Sequence, residues 1–363
     1  MPTETAARQV ASRRALRLAA GTALAMWVSG ACGWTLSYIA PVLTLVILAL
    51  PLSRPKPRFF LMIVAAVVVS VYGSFIFLPL LLYFRLAGLI LLALALFHTF
   101  YLTARGKPAA ISTLLTIGIT LTVAVGSVSV DALLVVAEGV FIGAIVGALI
   151  AWMAHVALPD PPLAAPPKKP PAPETSGAIR LALRSLAVVL PVSVWFLMSP
   201  ASAGNAAVMI KVASMGQEAT AEKSRRVAKS LLVSTAAGGI AAIVAWQILA
   251  IWPSLTLYTL LFAIASLWFA GKIFAGYGLA ADGDTWNYAL LTMIIILAPA
   301  ALDSQFGSDA GASFYQRLFM LMGASLYGVV AIYVFDAFWP ARQNEAPAAG
   351  RPAAGGPPVD AAG

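Results

Sequence analysis

Cysteine, histidine and charged residues are all scarce in this sequence. The single cysteine, Cys32, excludes an internal disulfide and a cysteine-based metal site. The two histidines, His98 and His155, lie far apart in the chain and are too few to predict a metal site. Charged residues make up 10% of the chain, against roughly 25% in soluble domains. We therefore expect no metal, no cofactor and no redox chemistry.

Hydrophobic residues, by contrast, make up 61% of the 363 residues. One water-soluble core cannot bury this much apolar surface, and many apolar runs approach the roughly 20 residues that a helix needs to cross a bilayer. The sequence predicts an all-α integral membrane protein with about twelve transmembrane helices and lipid as its main solvent. The predicted spans are 15–32, 34–52, 58–82, 85–104, 109–127, 132–158, 179–199, 202–217, 228–252, 255–277, 285–302 and 313–338.

The basic residues lie mostly on one predicted side of the membrane. In a soluble protein, a net charge of +9 would indicate binding to nucleic acid. Here, with a cytoplasmic N-terminus, all but three of the 23 basic residues fall in cytoplasmic segments: Arg85 and Arg317 lie outside, and Lys211 lies within a span. The positive-inside rule therefore predicts cytoplasmic N- and C-termini and an even number of helices, with no nucleic-acid partner.

A proline-rich segment divides the chain into two halves. We expect a cytoplasmic leader at 1–14, a six-helix half at 15–158, a cytoplasmic linker at 159–178, a second six-helix half at 179–340 and a disordered cytoplasmic tail at 341–363. Proline-rich stretches are extended spacers that have no core of their own.

The two halves have similar beginnings and ends, which predicts an internal parallel repeat. Each half opens on two arginines, and each closes on an aromatic residue, a histidine or aspartate, and a proline. Parallel repeats are related by an axis along the membrane normal, and substrate binds between them. The matching residues are Arg14, Arg17, Trp152, His155 and Pro159 in the first half, and Arg180, Arg184, Tyr333, Asp336 and Pro340 in the second.

Several short segments resemble one bacterial family. They are RALRLAAGTALA from Arg14, YIAPVLTLVILALP from Tyr38, the basic re-entry at Arg58 and the closing IYVFDAFWP from Ile332. Over residues 14–340 the chain resembles the fusaric acid resistance (FUSC-like) and aromatic acid exporter type of inner-membrane protein. Larger members carry a soluble cytoplasmic domain after each six-helix block, where this sequence has the proline-rich linker and a short tail.

The resemblance implies a function. Members of that family are implicated in efflux of aromatic carboxylic acids from bacteria, often with a periplasmic membrane fusion protein as partner. It implies a multi-pass protein of the bacterial inner membrane that exports small organic acids. A homo-oligomer is compatible with the sequence.

Two segments contain candidates for binding an organic anion. Lys211, near the middle of the short eighth span, and Asn205, near its start, are the candidates there, since short or broken helices often mark transporter binding sites. Alternatively, the Lys211 side chain extends toward the cytoplasmic end of the span. Arg317, at the outer mouth of the last span, is a candidate for guiding anions.

The candidates for proton coupling are Glu138 in the sixth span and His98 in the fourth. A carboxylate in hydrocarbon is costly unless it is paired, protonated or facing water, and desolvation favours its protonated form. The alternative for Glu138 is a hydrogen bond near the outer interface. For His98 it is a packing role, which is the usual one for a lone membrane histidine. Next to Glu138, the four-residue spacing of Gly139, Gly143 and Gly147 predicts close helix packing.

Two other polar patterns predict no chemistry. The run from Glu218 to Lys229 is typical of a solvated helical face with modest ion pairing. His155 and Asp160 have the H-x4-D spacing of an acyltransferase motif, but no phosphate-binding stretch accompanies them. We therefore predict that the chain is not an enzyme. The remaining alternative to a transporter is a membrane scaffold or assembly protein.

Overall fold

The computed structural model describes residues 4–34, 36–52, 55–107, 109–126, 130–160, 175–198, 206–220, 224–305 and 310–340. Asn205, most of the predicted linker and the predicted tail lie outside these residues. The predictions made for them are not addressed by the structure.

Residues 4–157 form seven helices. They are α1 (Glu4–Cys32), α2 (Ile39–Leu48), α3 (Pro57–Ser74), α4 (Phe77–Tyr83), α5 (Arg85–Ala104), α6 (Ala109–Gly126) and α7 (Val130–Ala157). The predicted third span is divided between α3 and α4. Pro79 has no N–H to bond the carbonyl of Phe75, so the regular helix is interrupted at this turn.

The later part of the chain forms six helices and a short hairpin. They are α8 (Thr175–Met198), α9 (Ala206–Glu218), α10 (Ser224–Ile251), α11 (Leu255–Ile273), β1 (Phe274–Ala275), β2 (Gly278–Leu279), α12 (Gly283–Gln305) and α13 (Ala310–Phe338). The strands pair antiparallel. Gly276 between them has a φ of +57°, which glycine adopts without steric cost. The hairpin replaces the end of the helix that was predicted to reach residue 277.

Among the described residues, nine helices are long and apolar enough to cross a membrane. Their outward surfaces carry large apolar side chains, such as Leu86, Ile251 and Phe338, which are mostly exposed. A surface of this kind is compatible with lipid rather than water as solvent. The protein is an all-α, multi-pass membrane protein apart from the small hairpin.

Two short helices, α2 and α9, are buried by the longer ones. α2 has 10 residues and α9 has 13. At 1.5 Å per residue they span about 15 and 20 Å, less than the roughly 30 Å of hydrocarbon in a bilayer. α2 packs on α1 and α7, and α9 packs on α8 and α6. Residues 207–218 of α9 are all buried.

Long helices from the two parts of the chain also pack on each other. α1 packs along α11, and α5 packs along α8. The short helices also contact the other part of the chain: α9 contacts α6, and α2 contacts α12. Side chains on α9 therefore lie between helices of the first and second parts.

Candidate functional site

The helix α9 carries two buried charges. Lys211 is fully buried and Glu218 is nearly so. They lie seven residues apart, close to two helical turns, and therefore on the same face of the helix. This face packs against α10 and α12. A charge removed from water is costly unless it is paired, so the partners of these two side chains define the site.

Within the described part of the chain, Lys211 has three polar contacts. Its Nζ lies 3.7 Å from Oε1 of Glu218, donates a hydrogen bond to Ser234 Oγ at 3.2 Å and lies 5.5 Å from the centre of the Tyr288 ring. The Lys211 side chain extends toward Glu218 at the end of α9 and is buried there, so a substrate-facing role for Lys211 stays a prediction. The ammonium lies among the helices and does not extend to the surface.

Glu218 is bound by a chain of hydroxyl groups. Ser230 Oγ donates to its Oε2 at 2.9 Å, and Thr285 Oγ1 donates to Ser230 at 3.0 Å. Its Oε1 accepts no hydrogen bond from any described residue. The prediction that Glu218 belongs to a solvated helical face is therefore wrong. α9 ends at Glu218 while this side chain is still inside the bundle, and α10 begins only at Ser224.

The neighbouring residue, Gln217, connects α9 to the first part of the chain. Thr103 Oγ1 donates to Gln217 Oε1 at 2.8 Å, and Gln217 Nε2 donates to Thr116 Oγ1 at 3.1 Å. Thr116 also bonds Thr99 at 3.0 Å. The polar residues of α9 thus bind α10 and α12 on one side and α5 and α6 on the other.

A buried arginine cluster lies where α1 meets the end of α7. Asp160 accepts from Arg14 Nε at 2.8 Å and from Arg17 Nη1 at 3.1 Å. Arg17 also donates to the carbonyl of Leu52, just past α2, and Arg14 donates to the carbonyl of Tyr277 in the hairpin. Asp160 is thus bound by two arginines. His155 bonds the carbonyl of Ala151 in its own helix.

A second cluster of the same kind lies where α8 meets α13. Asp336 accepts from Arg180 at 2.8 Å, from Arg184 at 3.1 Å and from the hydroxyl of Ser224. Arg184 also donates twice to the carbonyl of Ala219, just past α9. In both clusters an arginine from the opening helix binds a carbonyl that follows the short buried helix.

The candidates Glu138 and His98 are both exposed on the outer surface of the helix bundle, on α7 and α5. Neither is near Lys211 in the described contacts, and a proton-coupling role for them stays a prediction. Arg317, expected at an outer mouth, is buried on α13 and acts electrostatically on Tyr38 at the start of α2. The structure therefore does not bring together the residues that we predicted for substrate and for protons.

The three glycines of α7 lie against α2. A Cβ added at Gly139 would lie 3.1 Å from the side chain of Leu36, and one at Gly143 would lie 2.6 Å from Ile39 Cγ2. A Cβ at Gly147 would lie 2.9 Å from the carbonyl oxygen of Ala40. A side chain at Gly143 or Gly147 would collide with α2, and one at Gly139 would press on Leu36 just before it.

The part of the chain that the structure describes contains no group of three or more histidine, cysteine, aspartate or glutamate residues that could hold a metal ion. The candidate site is the polar face of α9, because a buried cation and a buried acid meet there. We define the α9 site as Lys211, Glu218, Ser230, Ser234, Thr285 and Tyr288. Sequence reasoning identified Lys211 but missed Glu218, although a spacing of two helical turns from Lys211 was a usable signal.

Comparison with known proteins gives one match. Residues 14–154 match a family described as a protein of unknown function, DUF2955. No curated protein and no solved structure matches the chain. The matched segment begins at the first buried arginine of α1 and ends inside α7, so the chain is similar to this family over its first group of helices.

Proposed function

We propose that this chain is a bacterial inner-membrane transporter that exports small organic acids, aromatic acids among them. The observation that carries the proposal is the complete burial of Lys211 on a short helix between the two parts of the chain. Charged side chains inside a membrane bundle, paired ones included, are rare and usually belong to substrate or ion pathways. An ammonium group at this position attracts the carboxylate of an organic acid.

The proposal includes twelve crossings arranged as two parallel six-helix repeats. Four observations support the repeat: the two arginine clusters, the two short buried helices, the pairing of α1 with α11, and the pairing of α5 with α8. In addition, Arg17 and Arg184 are as many residues apart in the sequence as Leu52 and Ala219, whose carbonyls they bind. Repeats of this kind place substrate at their interface, where α9 lies.

The same proposal includes cytoplasmic N- and C-termini, as the distribution of basic residues predicts. A periplasmic membrane fusion protein is the proposed partner, because the family that the sequence resembles often uses one.

Growth of a deletion strain on a panel of aromatic and aliphatic carboxylic acids tests the proposal. The native protein should restore tolerance to particular acids, and Lys211→Met should not. Lys229→Met is the matched control, because Lys229 is exposed on α10, and it should restore tolerance fully. Immunoblots of membranes check that all variants are present in equal amounts. Equal rescue by Lys211→Met would contradict the proposal.

The alternative is a membrane scaffold or assembly protein without transport activity. The exposed position of Glu138 on α7 favours it, because an acid on an apolar surface is suited to a contact with another membrane protein. If the deletion strain is sensitive to no acid, the scaffold explains the chain better. If Glu138→Gln restores tolerance as the native gene does, Glu138 has no part in transport.

A further inference from the structure

The ion pair between Lys211 and Glu218 leaves both groups incompletely bonded. The 3.7 Å between Nζ and Oε1 is longer than a hydrogen bond. Lys211 has three N–H donors, of which one is directed at Ser234. Glu218 Oε1 accepts no hydrogen bond from the described residues. A buried carboxylate oxygen is thus available for a proton, and the ammonium group has donors available for a second anion.

A chain of two hydroxyl groups runs from Glu218 to Thr285, which is half-buried near the start of α12. Ser230 bonds Glu218, and Thr285 bonds Ser230. Asp284, the residue before Thr285, is exposed at the start of α12. Hydroxyl groups both donate and accept hydrogen bonds, so this chain can pass a proton from Thr285, next to the exposed Asp284, to the buried carboxylate.

The acid of α12 that acts electrostatically on Glu218 is Asp284, and the Tyr288 ring of the same helix lies against Lys211. The cations of other helices have different partners. Arg226 of α10 donates to the carbonyl of Ala281. Arg184 of α8 binds Asp336 of α13 and the backbone. On the side of α5 and α6, the polar contacts of α9 among the described residues are the hydroxyls of Thr103 and Thr116, which bind Gln217. Within the described residues, Lys211 is therefore the cation that forms an ion pair with Glu218.

We propose, on the basis of the function proposed above, that Glu218 is the proton carrier and takes up one proton for each organic anion that binds Lys211. The proton passes from water near Asp284, through Thr285 and Ser230, to the Glu218 carboxylate and forms an O–H bond there. The substrate carboxylate then replaces Glu218 as the counter-ion of Lys211. The site holds one positive and one negative charge before and after this exchange.

The anion and the proton therefore cross the membrane together, with no net charge. The direction of transport follows the sum of the two gradients. A cell that accumulates an organic acid would export it by this route without using the membrane potential.

Calorimetric titration of the full-length protein in detergent with benzoate, and separately with hexanoate, tests the inference. Titrations in two buffers of different ionisation enthalpy give the number of protons taken up on binding. The native protein should take up about one proton per bound anion above the pH at which Glu218 titrates, and its affinity should rise about tenfold for each pH unit lowered. Glu218→Gln should bind the anion without proton uptake and with an affinity independent of pH.

Asp131→Asn is the matched control, since Asp131 is an exposed acid in the first turn of α7. It should retain the native proton uptake. If Glu218→Gln does not elute as a folded species in gel filtration, Glu218→Asp replaces it. That variant should move the pH midpoint of the affinity profile, and an unchanged midpoint would overturn the inference.

The remaining outcomes separate the two proposals. Binding without proton uptake in the native protein, or with undiminished uptake in Glu218→Gln, overturns the role of Glu218 and leaves the transport proposal standing. Loss of uptake in Glu138→Gln would assign the proton to Glu138 and also overturn the inference. If neither benzoate nor hexanoate binds the native protein at any pH, both proposals fail.

Discussion

Single carboxylates neutralise pairs of buried arginines in this protein. Asp160 lies between Arg14 and Arg17, and all three side chains are almost completely buried. Each of the two carboxylate oxygens of Asp160 binds one guanidinium group. Because guanidinium groups do not lose their charge in proteins, removing the acid would leave two uncompensated cations inside the bundle. Asp336 neutralises the two arginines of the second cluster in the same way, but 18% of its side chain is exposed.

We expect Asp160→Asn to lower the free energy of unfolding by about 3 to 5 kcal/mol, the usual cost of breaking a buried ion pair. Asp336→Asn should cost less, because water reaches that carboxylate. Unfolding by sodium dodecyl sulfate in mixed micelles measures the differences. Glu4→Gln is the control, since the Glu4–Arg8 pair is about four-fifths exposed, and it should change stability by at most about 0.5 kcal/mol. An Asp160→Asn variant as stable as this control would contradict the assignment.

Among the helices, α2 and α9 show how a short helix is held inside a bundle. α2 is apolar and is held by close packing, because the glycines of α7 let the two backbones approach. α9 carries charged and polar side chains and is held by hydrogen bonds to α5, α6 and α10, while its ion pair joins two of its own residues. α2 and α9 are each the second helix of a proposed repeat, so the same position is stabilised in two different ways. The difference in chemistry explains why the proposed site is on α9 and not on α2.

Gly147→Ala tests the packing of α7 on α2. The new Cβ would lie 2.9 Å from the Ala40 carbonyl oxygen and 3.1 Å from Leu43 Cβ. Overpacking of this kind costs about 1 to 3 kcal/mol. Gly323→Ala on α13 is the matched control, because nothing lies within 4 Å of its added Cβ. It should be neutral or more stable by up to about 1 kcal/mol from helix propensity. Thermal unfolding in detergent compares the two, and equal midpoints would refute the packing role.

Over the whole molecule, a series of contacts places both arginine clusters on one side. Arg14 bonds Tyr277 in the hairpin, Arg226 bonds Ala281 just after it, and nearby Ser224 bonds Asp336 in the second cluster. All of these groups fall on the side that the positive-inside rule makes cytoplasmic. Cys32 ends α1 at the opposite end from Arg14 and is exposed. It provides a natural probe of orientation.

A membrane-impermeant maleimide should label Cys32 in intact spheroplasts, because the proposed topology puts this residue outside. The control is a Cys32→Ser protein that also carries Lys107→Cys. Lys107 is exposed just after α5, on the proposed cytoplasmic side. It should react only after the membrane is permeabilised. The reverse pattern of labelling would mean that the protein has the opposite orientation in the membrane and that the α9 site opens in the opposite direction.

The sequence by itself determined the class of the protein, because hydropathy and helix length are local properties that one segment displays without its neighbours. It also identified Lys211, since a lone charge in an apolar run is visible in one dimension. Only the tertiary structure decided which charges are paired. Asp160 binds arginines more than 140 residues away, and Glu218 is buried because other helices cover the end of α9. Pairing and burial depend on packing between distant segments, which no local pattern encodes.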